Sequence, residues 1–335
     1  MRVACRHGRQ RQHSILRSAP DVTRLRNWQL FAICVLTWGT TWHAITWQVG
    51  VTTPEFGVAL RFALAGAVIL AFAAARGVSL RFAPRQHAWF ALQGVFLYGV
   101  SYLCVYHAER LLPSGLVAVG YSASPLIAGL GARGLFGVAI TPRFIAGGLL
   151  GLAGVALVFW PEFGHARDAS GTALGALFTV GAVLLSGVGS LAASRNGARG
   201  LPFWPALGFG MLYGALCCFI AALAGGQPMA LPAIASWWIA LLYLALAGSV
   251  LTFACFLTLM QRLGPGPAGS IGVMTPLLAL VVSTAFEHYR PDALTGIGAA
   301  LAVLGNVLML RRGAPAAASS APTRADLRAG APAAE

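Results

Sequence analysis

Long apolar runs, separated by short polar connections, occupy most of this chain. Each run is about 17 to 25 residues long, which as a helix is enough to cross the hydrocarbon core of a bilayer. Only 10% of the residues are charged, against roughly 25% in ordinary soluble domains. The sequence therefore predicts an all-α membrane protein with ten transmembrane helices, at residues 28–49, 56–75, 88–108, 114–136, 144–160, 172–193, 203–224, 237–260, 267–286 and 293–310.

The basic residues are distributed unequally between the two sides of the predicted membrane. The net charge is +14, and all 23 basic residues are arginine. With the N-terminus inside, 19 arginines fall in inner segments and three in outer loops. The positive-inside rule then predicts an integral protein of the cytoplasmic (inner) membrane with both termini in the cytoplasm. We expect no nucleic-acid partner, because a basic patch needs a folded soluble face.

The two ends of the chain have a different composition. Residues 1–27 are rich in arginine and residues 313–335 in alanine and proline, compositions that cannot build a packed core. We expect a disordered cytoplasmic leader and a disordered cytoplasmic tail. Between them lie two halves, 28–160 and 172–312, joined by a linker loop at 161–171.

Two prolines, each about halfway along an apolar run, mark an internal repeat. Pro125 and Pro276 are expected to interrupt the fourth and ninth predicted helices. The residues that precede them also match, since 94–103 in the third helix corresponds to 242–251 in the eighth. Five helices per half is an odd number, so the halves enter the membrane from opposite sides. The sequence thus predicts two inverted five-helix repeats, an arrangement in which paired interruptions mark a transporter's substrate site.

Glycine recurs at close intervals in the fifth and tenth predicted helices, within 147–154 and 296–305. Small residues at such spacing let helices approach closely. We interpret these glycines as packing residues.

Short motifs in this framework resemble the EamA-type branch of the drug/metabolite transporter superfamily. Residues 38–42, Trp-Gly-Thr-Thr-Trp, are similar to that family's opening Trp-Gly-Ser-x-Phe signature. Pro54 with Arg61 seven residues later resembles its second-helix pattern, and Glu287 with Gly296 resembles the pattern that links its ninth and tenth helices. The resemblance covers nearly everything outside the two ends. It implies a ten-helix carrier that moves small metabolites, usually outward.

Arg61 is the only charged residue well inside a predicted helix. A charge within the membrane is costly and is by default a functional-site hypothesis. Arg61 could bind a substrate carboxylate. It could equally extend to the outer lipid headgroups, or hold a backbone carbonyl or Glu109, in a structural or gating role.

Tyr98, Tyr102 and Tyr106 are spaced by four residues, which places them on one face of the third helix. A buried phenol needs a partner for its hydroxyl, and a wet cavity supplies one. We predict that Tyr98 and Tyr102 line the substrate cavity. The alternative is that they bond to neighbouring helices and that Tyr106 belongs to the outer aromatic belt.

Further aromatic and polar residues fall at the same predicted depth in both halves. One side of the site is then aromatic and the other small and polar, which suits a zwitterionic or amphipathic small molecule. His43 could relay a proton, since imidazole titrates near neutrality, or it could be a hydrogen-bonded packing residue. The predicted substrate-binding residues are Arg61, Trp42, His43, Tyr98, Tyr102, Tyr121, Ser124, Ser249, Thr252 and Thr275, with Pro125 and Pro276 as helix-break and gating residues.

Motifs for ATP binding, catalysis and metal binding are not found in the sequence. We therefore predict no enzyme, no cofactor and no metal. The predicted function is a secondary transporter that exports a small polar metabolite, such as an amino acid or a derivative, by alternating access. Its expected partners are that substrate, the lipid bilayer and, as a further candidate, protons, and we expect a monomer or a homodimer.

Two alternatives to this function are weaker. A multidrug exporter of amphipathic compounds usually relies on a deep carboxylate, and no Asp or Glu lies near the centre of a predicted helix. A membrane-embedded enzyme needs several polar catalytic groups at one depth. The predicted helices do not supply several such groups at one depth.

Overall fold

The computed structural model describes residues 24–137, 139–165, 169–226, 229–263 and 270–310. Nearly all of the predicted leader and the whole predicted tail lie outside this part of the chain. In the region of the predicted linker loop, one helix continues to His165 and the next begins at Ala169.

Every regular element in the described ranges is a helix. Several begin at a proline, whose fixed φ and missing N–H suit the first turn. The helices are α1 (Asn27–Thr46), α2 (Pro54–Ala75), α3 (Pro84–Glu109), α4 (Ser114–Tyr121), α5 (Ser124–Phe136), α6 (Pro142–His165), α7 (Ala169–Ala198), α8 (Phe203–Ala224), α9 (Ala235–Leu263), α10 (Ile271–Phe286) and α11 (Ala293–Leu310).

Eight helical spans in the described ranges are long and apolar enough to cross a membrane, with α4 and α5 counted as one span. Helices α1 and α10 are not among them. Helix α10 has 16 residues, and α1 has 20 residues but includes several polar side chains. The structure therefore shows an all-helical protein with multiple membrane spans. Ten crossings and the inverted orientation of the halves stay predictions.

The two prolines have different local structures. The fourth predicted helix is divided at Ser122 and Ala123, and Pro125 is the second residue of α5. The expected interruption at Pro276 was wrong, because α10 continues through it. Pro276 is the sixth residue of α10 and has no N–H to donate to the Gly272 carbonyl.

Helices α3 and α9 each contain a π-helical segment, at Val95–Val100 and Tyr243–Leu251. These segments fall within the two stretches that the sequence predicted to correspond. A π-helical turn inside an α-helix is rare and frequently occurs at functional sites. The same irregularity at matched positions is consistent with the predicted internal repeat.

Helices α6 and α11 pack closely through glycine. A Cβ atom on Gly298 would lie 2.6 Å from the carbonyl oxygen of Gly154, and one on Gly147 would lie 2.6 Å from that of Gly305. These distances are too short for a side chain, so the two backbones are in direct contact. Close backbone approach of this kind is typical of helix interfaces in membranes.

The predicted orientation has a direct test. Reporter fusions at residue 165 and after residue 312 should read outside and inside respectively, because the arginine bias places both termini in the cytoplasm. Alkaline phosphatase and green fluorescent protein fusions distinguish the two sides. The same reading from both positions would contradict the predicted number of crossings.

Candidate substrate cavity

A cavity of about 350 Å³ lies among α1, α2, α3, the α4–α5 break, α7, α9 and α10. It brings together most of the residues that the sequence predicted for the site. Those that line it are Trp42, Arg61, Tyr98, Tyr102, Tyr121, Ser124, Thr275, Pro125 and Pro276.

Arg61 is the charged residue of this cavity. Thr53 caps the start of α2 by accepting a hydrogen bond from the backbone N–H of Phe56, and Arg61 follows two turns later. The side chain is only 3% exposed, and its Nε and Nη1 have no hydrogen-bond partner among the described residues. Unpaired buried donors are costly. An anion in the cavity would satisfy them.

Aromatic rings surround the guanidinium. Its central carbon lies 4.8 Å from the centre of the Tyr102 ring and 5.0 Å from that of Phe62. The Tyr102 and Phe62 rings meet edge to face at 4.7 Å, and the Tyr98 and Phe62 rings lie 5.4 Å apart. Such cation–π contacts hold the guanidinium in place without using the hydrogen-bonding capacity of Nε and Nη1.

The cavity is also lined by small polar residues next to the two prolines. The Ser124 hydroxyl donates to the Tyr121 carbonyl, and the Thr275 hydroxyl donates to the Ile271 carbonyl at 2.8 Å. A hydroxyl that donates to its own helix keeps lone pairs for another partner. Gly272 also lines the cavity. The two hydroxyls can therefore accept hydrogen bonds from an ammonium group.

Three predicted residues do not line the cavity. The hydroxyls of Ser249 and Thr252 donate to the carbonyls of Leu244 and Ala247, five residues earlier, at 3.0 and 2.7 Å. These bonds pair with backbone groups in the π-helical part of α9 and direct both side chains along their own helix. His43 instead lies 2.9 Å from Glu287, from its Nδ1 to Oε1.

Glu287 connects three helices. Besides His43 of α1, it accepts hydrogen bonds from the Ser114 backbone N–H and hydroxyl at the start of α4, and from Ser283 of α10. Burial by itself would raise the pKa of Glu287, but the hydrogen bonds from Ser114, His43 and Ser283 favour the carboxylate and lower that pKa below its usual value. On the predicted topology this cluster lies at the outer end of the cavity.

Glu109 is a buried acid that lies one residue beyond the predicted third helix, 88–108. It is the last residue of α3 and is 7% exposed. Its position three residues after Tyr106 continues the face that Tyr98 and Tyr102 occupy, which is the signal that could have placed it inside. Several residues that line the cavity were missed as well, among them Trp38, Thr41, Ser190, Gly272 and Phe253.

The chain matches the EamA-like transporter family over residues 27–160 and 173–311. It belongs to the EamA-like transporter family. This confirms the resemblance drawn from the Trp-Gly-Thr-Thr-Trp, Pro54 and Glu287 motifs, and it makes the chain a membrane transporter of the drug/metabolite type.

Named relatives of this EamA-like transporter include two other transporters. The uncharacterized inner membrane transporter YedA of Escherichia coli K12 is 30% identical over 260 residues, 76% of this chain and 80% of YedA. The aromatic amino acid exporter YddG of Ancylobacter novellus is 29% identical over 279 residues, 81% of this chain and 92% of YddG. A protein of known crystal structure is 24% identical to this chain and superposes on it with a TM-score of 0.62. The match covers 84% of this chain and 96% of the other protein's chain, which supports the fold.

Proposed function

We propose that this EamA-like transporter exports amino acids with large apolar side chains, chiefly aromatic ones, across the inner membrane. The observation that carries this proposal is Arg61, a buried guanidinium with two unpaired nitrogens that lines a cavity rich in aromatic side chains. A substrate carboxylate would accept from Arg61 in a charge-assisted contact. Its ammonium group would reach the hydroxyls of Ser124 and Thr275.

The rest of the cavity fits the side chain of such a substrate. Its volume of about 350 Å³ lies within the range of roughly 300–1,000 Å³ that is usual for small-molecule sites. Trp38 and Phe253 meet edge to face at 5.4 Å, and Trp42 and Tyr121 do so at 5.5 Å. Aromatic rings of this kind favour an aromatic guest, which can stack or pack edge to face.

The name of one relative supports the same class. YddG is named as an aromatic amino acid exporter and YedA as an inner membrane transporter. Neither name fixes the substrate of a chain that is about 30% identical, so the cavity residues decide the proposal. Among them, Arg61 disfavours a cationic drug, because a fixed positive charge repels another cation.

Transport proceeds by alternating access in this proposal. The two halves form inverted repeats, and the substrate binds between them beside Pro125 and Pro276. Glu287 holds α1, α4 and α10 together at the outer end of the cavity. Release of a substrate to the outside requires these hydrogen bonds to separate.

The proposal can be tested with the purified full-length protein in proteoliposomes. Counterflow of labelled L-tryptophan or L-phenylalanine should be faster than that of L-serine, since only the aromatic amino acids fill the cavity. Tyr102→Leu should lower tryptophan counterflow by about tenfold, the effect of one lost aromatic contact and the loosened guanidinium. Tyr213→Leu is the matched control, because Tyr213 bonds to His87 outside the cavity.

Equal counterflow of serine and tryptophan would contradict the aromatic preference. Equal losses in Tyr102→Leu and Tyr213→Leu would show that the cavity is not the site. Membrane abundance of each variant is measured alongside, so that a folding defect is not taken for a loss of transport.

A further inference from the structure

The π-helical segment of α9, Tyr243–Leu251, takes no part in the proposed substrate contacts, although such segments frequently occur at functional sites. None of its described residues lines the cavity. The segment nevertheless packs against α1 and α2, which do line the cavity. Its contacts with these two helices therefore bear on the shape of the site.

Gly248 is the residue at which this segment meets the Trp38 ring of α1. The Gly248 carbonyl accepts a hydrogen bond from Nε1 of Trp38 at 3.0 Å. The Trp38 ring also meets the Phe253 ring edge to face at 5.4 Å and lies 5.5 Å from the Phe256 ring. A side chain that is both hydrogen-bonded and packed on two sides is held in one orientation. Trp38 is thus a fixed part of the cavity wall.

Gly248 also lies next to the cavity arginine. A Cβ atom on Gly248 would lie 3.9 Å from Nη2 of Arg61. Trp38 and Arg61, both of which line the cavity, are therefore neighbours of the same residue. A ligand that is bound by the guanidinium has the Trp38 ring close by.

The contact between α1 and the π-helical segment depends on the absence of a side chain at Gly248. A Cβ atom there would lie 2.8 Å from Cγ2 of Thr41, which is too close. Thr41 is β-branched and stiff at χ1, and its hydroxyl donates to the Trp38 carbonyl at 2.8 Å. Glycine therefore lets α1 approach closely enough for the Trp38 hydrogen bond.

We propose that the π-helical segment of α9 positions Trp38 through Gly248, and that Trp38 in this position sets the upper size limit of the substrate side chain. This inference rests on the proposed function. An amino acid bound to Arg61 through its carboxylate meets the Trp38 ring with its side chain. Because the bond to Gly248 prevents the ring from turning aside, the cavity admits an indole and excludes a longer aromatic group.

The test compares the affinities of purified full-length protein for L-tryptophan and for L-biphenylalanine, whose two linked benzene rings are longer than an indole. Wild type should bind tryptophan at least about tenfold more tightly, a discrimination typical of misfit in an apolar pocket. Trp38→Ala should bind tryptophan more weakly and biphenylalanine more tightly, because removal of the indole opens space. Trp38→Phe keeps a ring but loses the N–H donor and should lose most of the discrimination.

Gly248→Ala tests the positioning role itself, because it leaves Trp38 unchanged. The added methyl group should displace α1 through Thr41 and lower the discrimination by about tenfold. Gly248→Ala/Thr41→Ser lacks the Cγ2 atom and should recover most of the discrimination. Trp237→Phe is the matched control, because Trp237 donates from Nε1 to Thr52 at 3.1 Å and does not line the cavity. It should discriminate as wild type does.

Three outcomes would overturn this inference and leave the proposed function intact. They are equal wild-type affinity for the two amino acids, unchanged discrimination in Gly248→Ala or in both Trp38 variants, and the same loss in Trp237→Phe as in Trp38→Phe. Failure of wild type to bind tryptophan would refute the proposed function, and the inference with it. The wild-type comparison stands even if a variant does not fold.

Discussion

Arg61→Ala is expected to weaken L-tryptophan binding by about 10- to 100-fold, because hydrogen bonds to a charged group contribute about 1.5–3 kcal/mol. Arg61→Lys should bind nearly as weakly as the alanine variant. Lysine keeps the charge but loses the planar pair of N–H donors that matches a carboxylate. Affinities of the purified variants for tryptophan and its methyl ester measure this directly.

The ester is the decisive comparison for Arg61. Wild type should prefer the amino acid to its ester, and both variants should lose most of that preference. Arg290→Ala, at an exposed position between α10 and α11, is the matched control and should behave as wild type. If all variants discriminate against the ester equally, Arg61 does not bind the carboxylate, and its role is gating or structural.

Gly298→Ala is expected to destabilise the protein by at least about 1–3 kcal/mol, the usual range for overpacking. The added methyl group would lie 2.6 Å from the carbonyl oxygen of Gly154, which is backbone and cannot rotate away. Helices α6 and α11 must then separate along their contact. Thermal unfolding of the purified protein, followed by size-exclusion chromatography, measures the loss.

Two neighbouring glycines provide controls for this prediction. Cβ atoms on Gly296 of α11 and Gly151 of α6 would meet nothing within 4 Å. Gly296→Ala and Gly151→Ala should therefore retain wild-type stability, whereas Gly154→Ala should resemble Gly298→Ala. Similar stability for Gly296→Ala and Gly298→Ala would mean that the α6–α11 contact is not as close as the structure has it.

The membrane character of the chain followed from local properties. Apolar length decides whether a helix can cross a bilayer, and it can be counted along the chain without tertiary information. Apolar length alone does not decide whether α10 crosses the membrane, because α10 has only 16 residues. Whether a short helix crosses depends on its tilt and on the helices around it.

The candidate site was predictable where helix periodicity sets direction. Tyr98 and Tyr102 share a face of α3, and both line the cavity. The prediction for Ser249 and Thr252 was wrong because a π-helical segment changes the direction in which side chains leave the helix. Their hydroxyls donate hydrogen bonds to carbonyls of that segment instead of lining the cavity. No residue pattern signals that change in advance.

Sequence by itself determined that this chain is a helical membrane transporter with a single arginine well inside a predicted helix, because hydropathy, charge bias and family motifs are properties of short segments. Only the tertiary structure decided which groups meet around that arginine. Glu109 is adjacent to a loop in the chain yet buried in the fold, and His43 contacts Glu287 instead of the cavity. Contacts between helices that are distant in sequence depend on how those helices pack, and packing is fixed by the whole set of side chains at once.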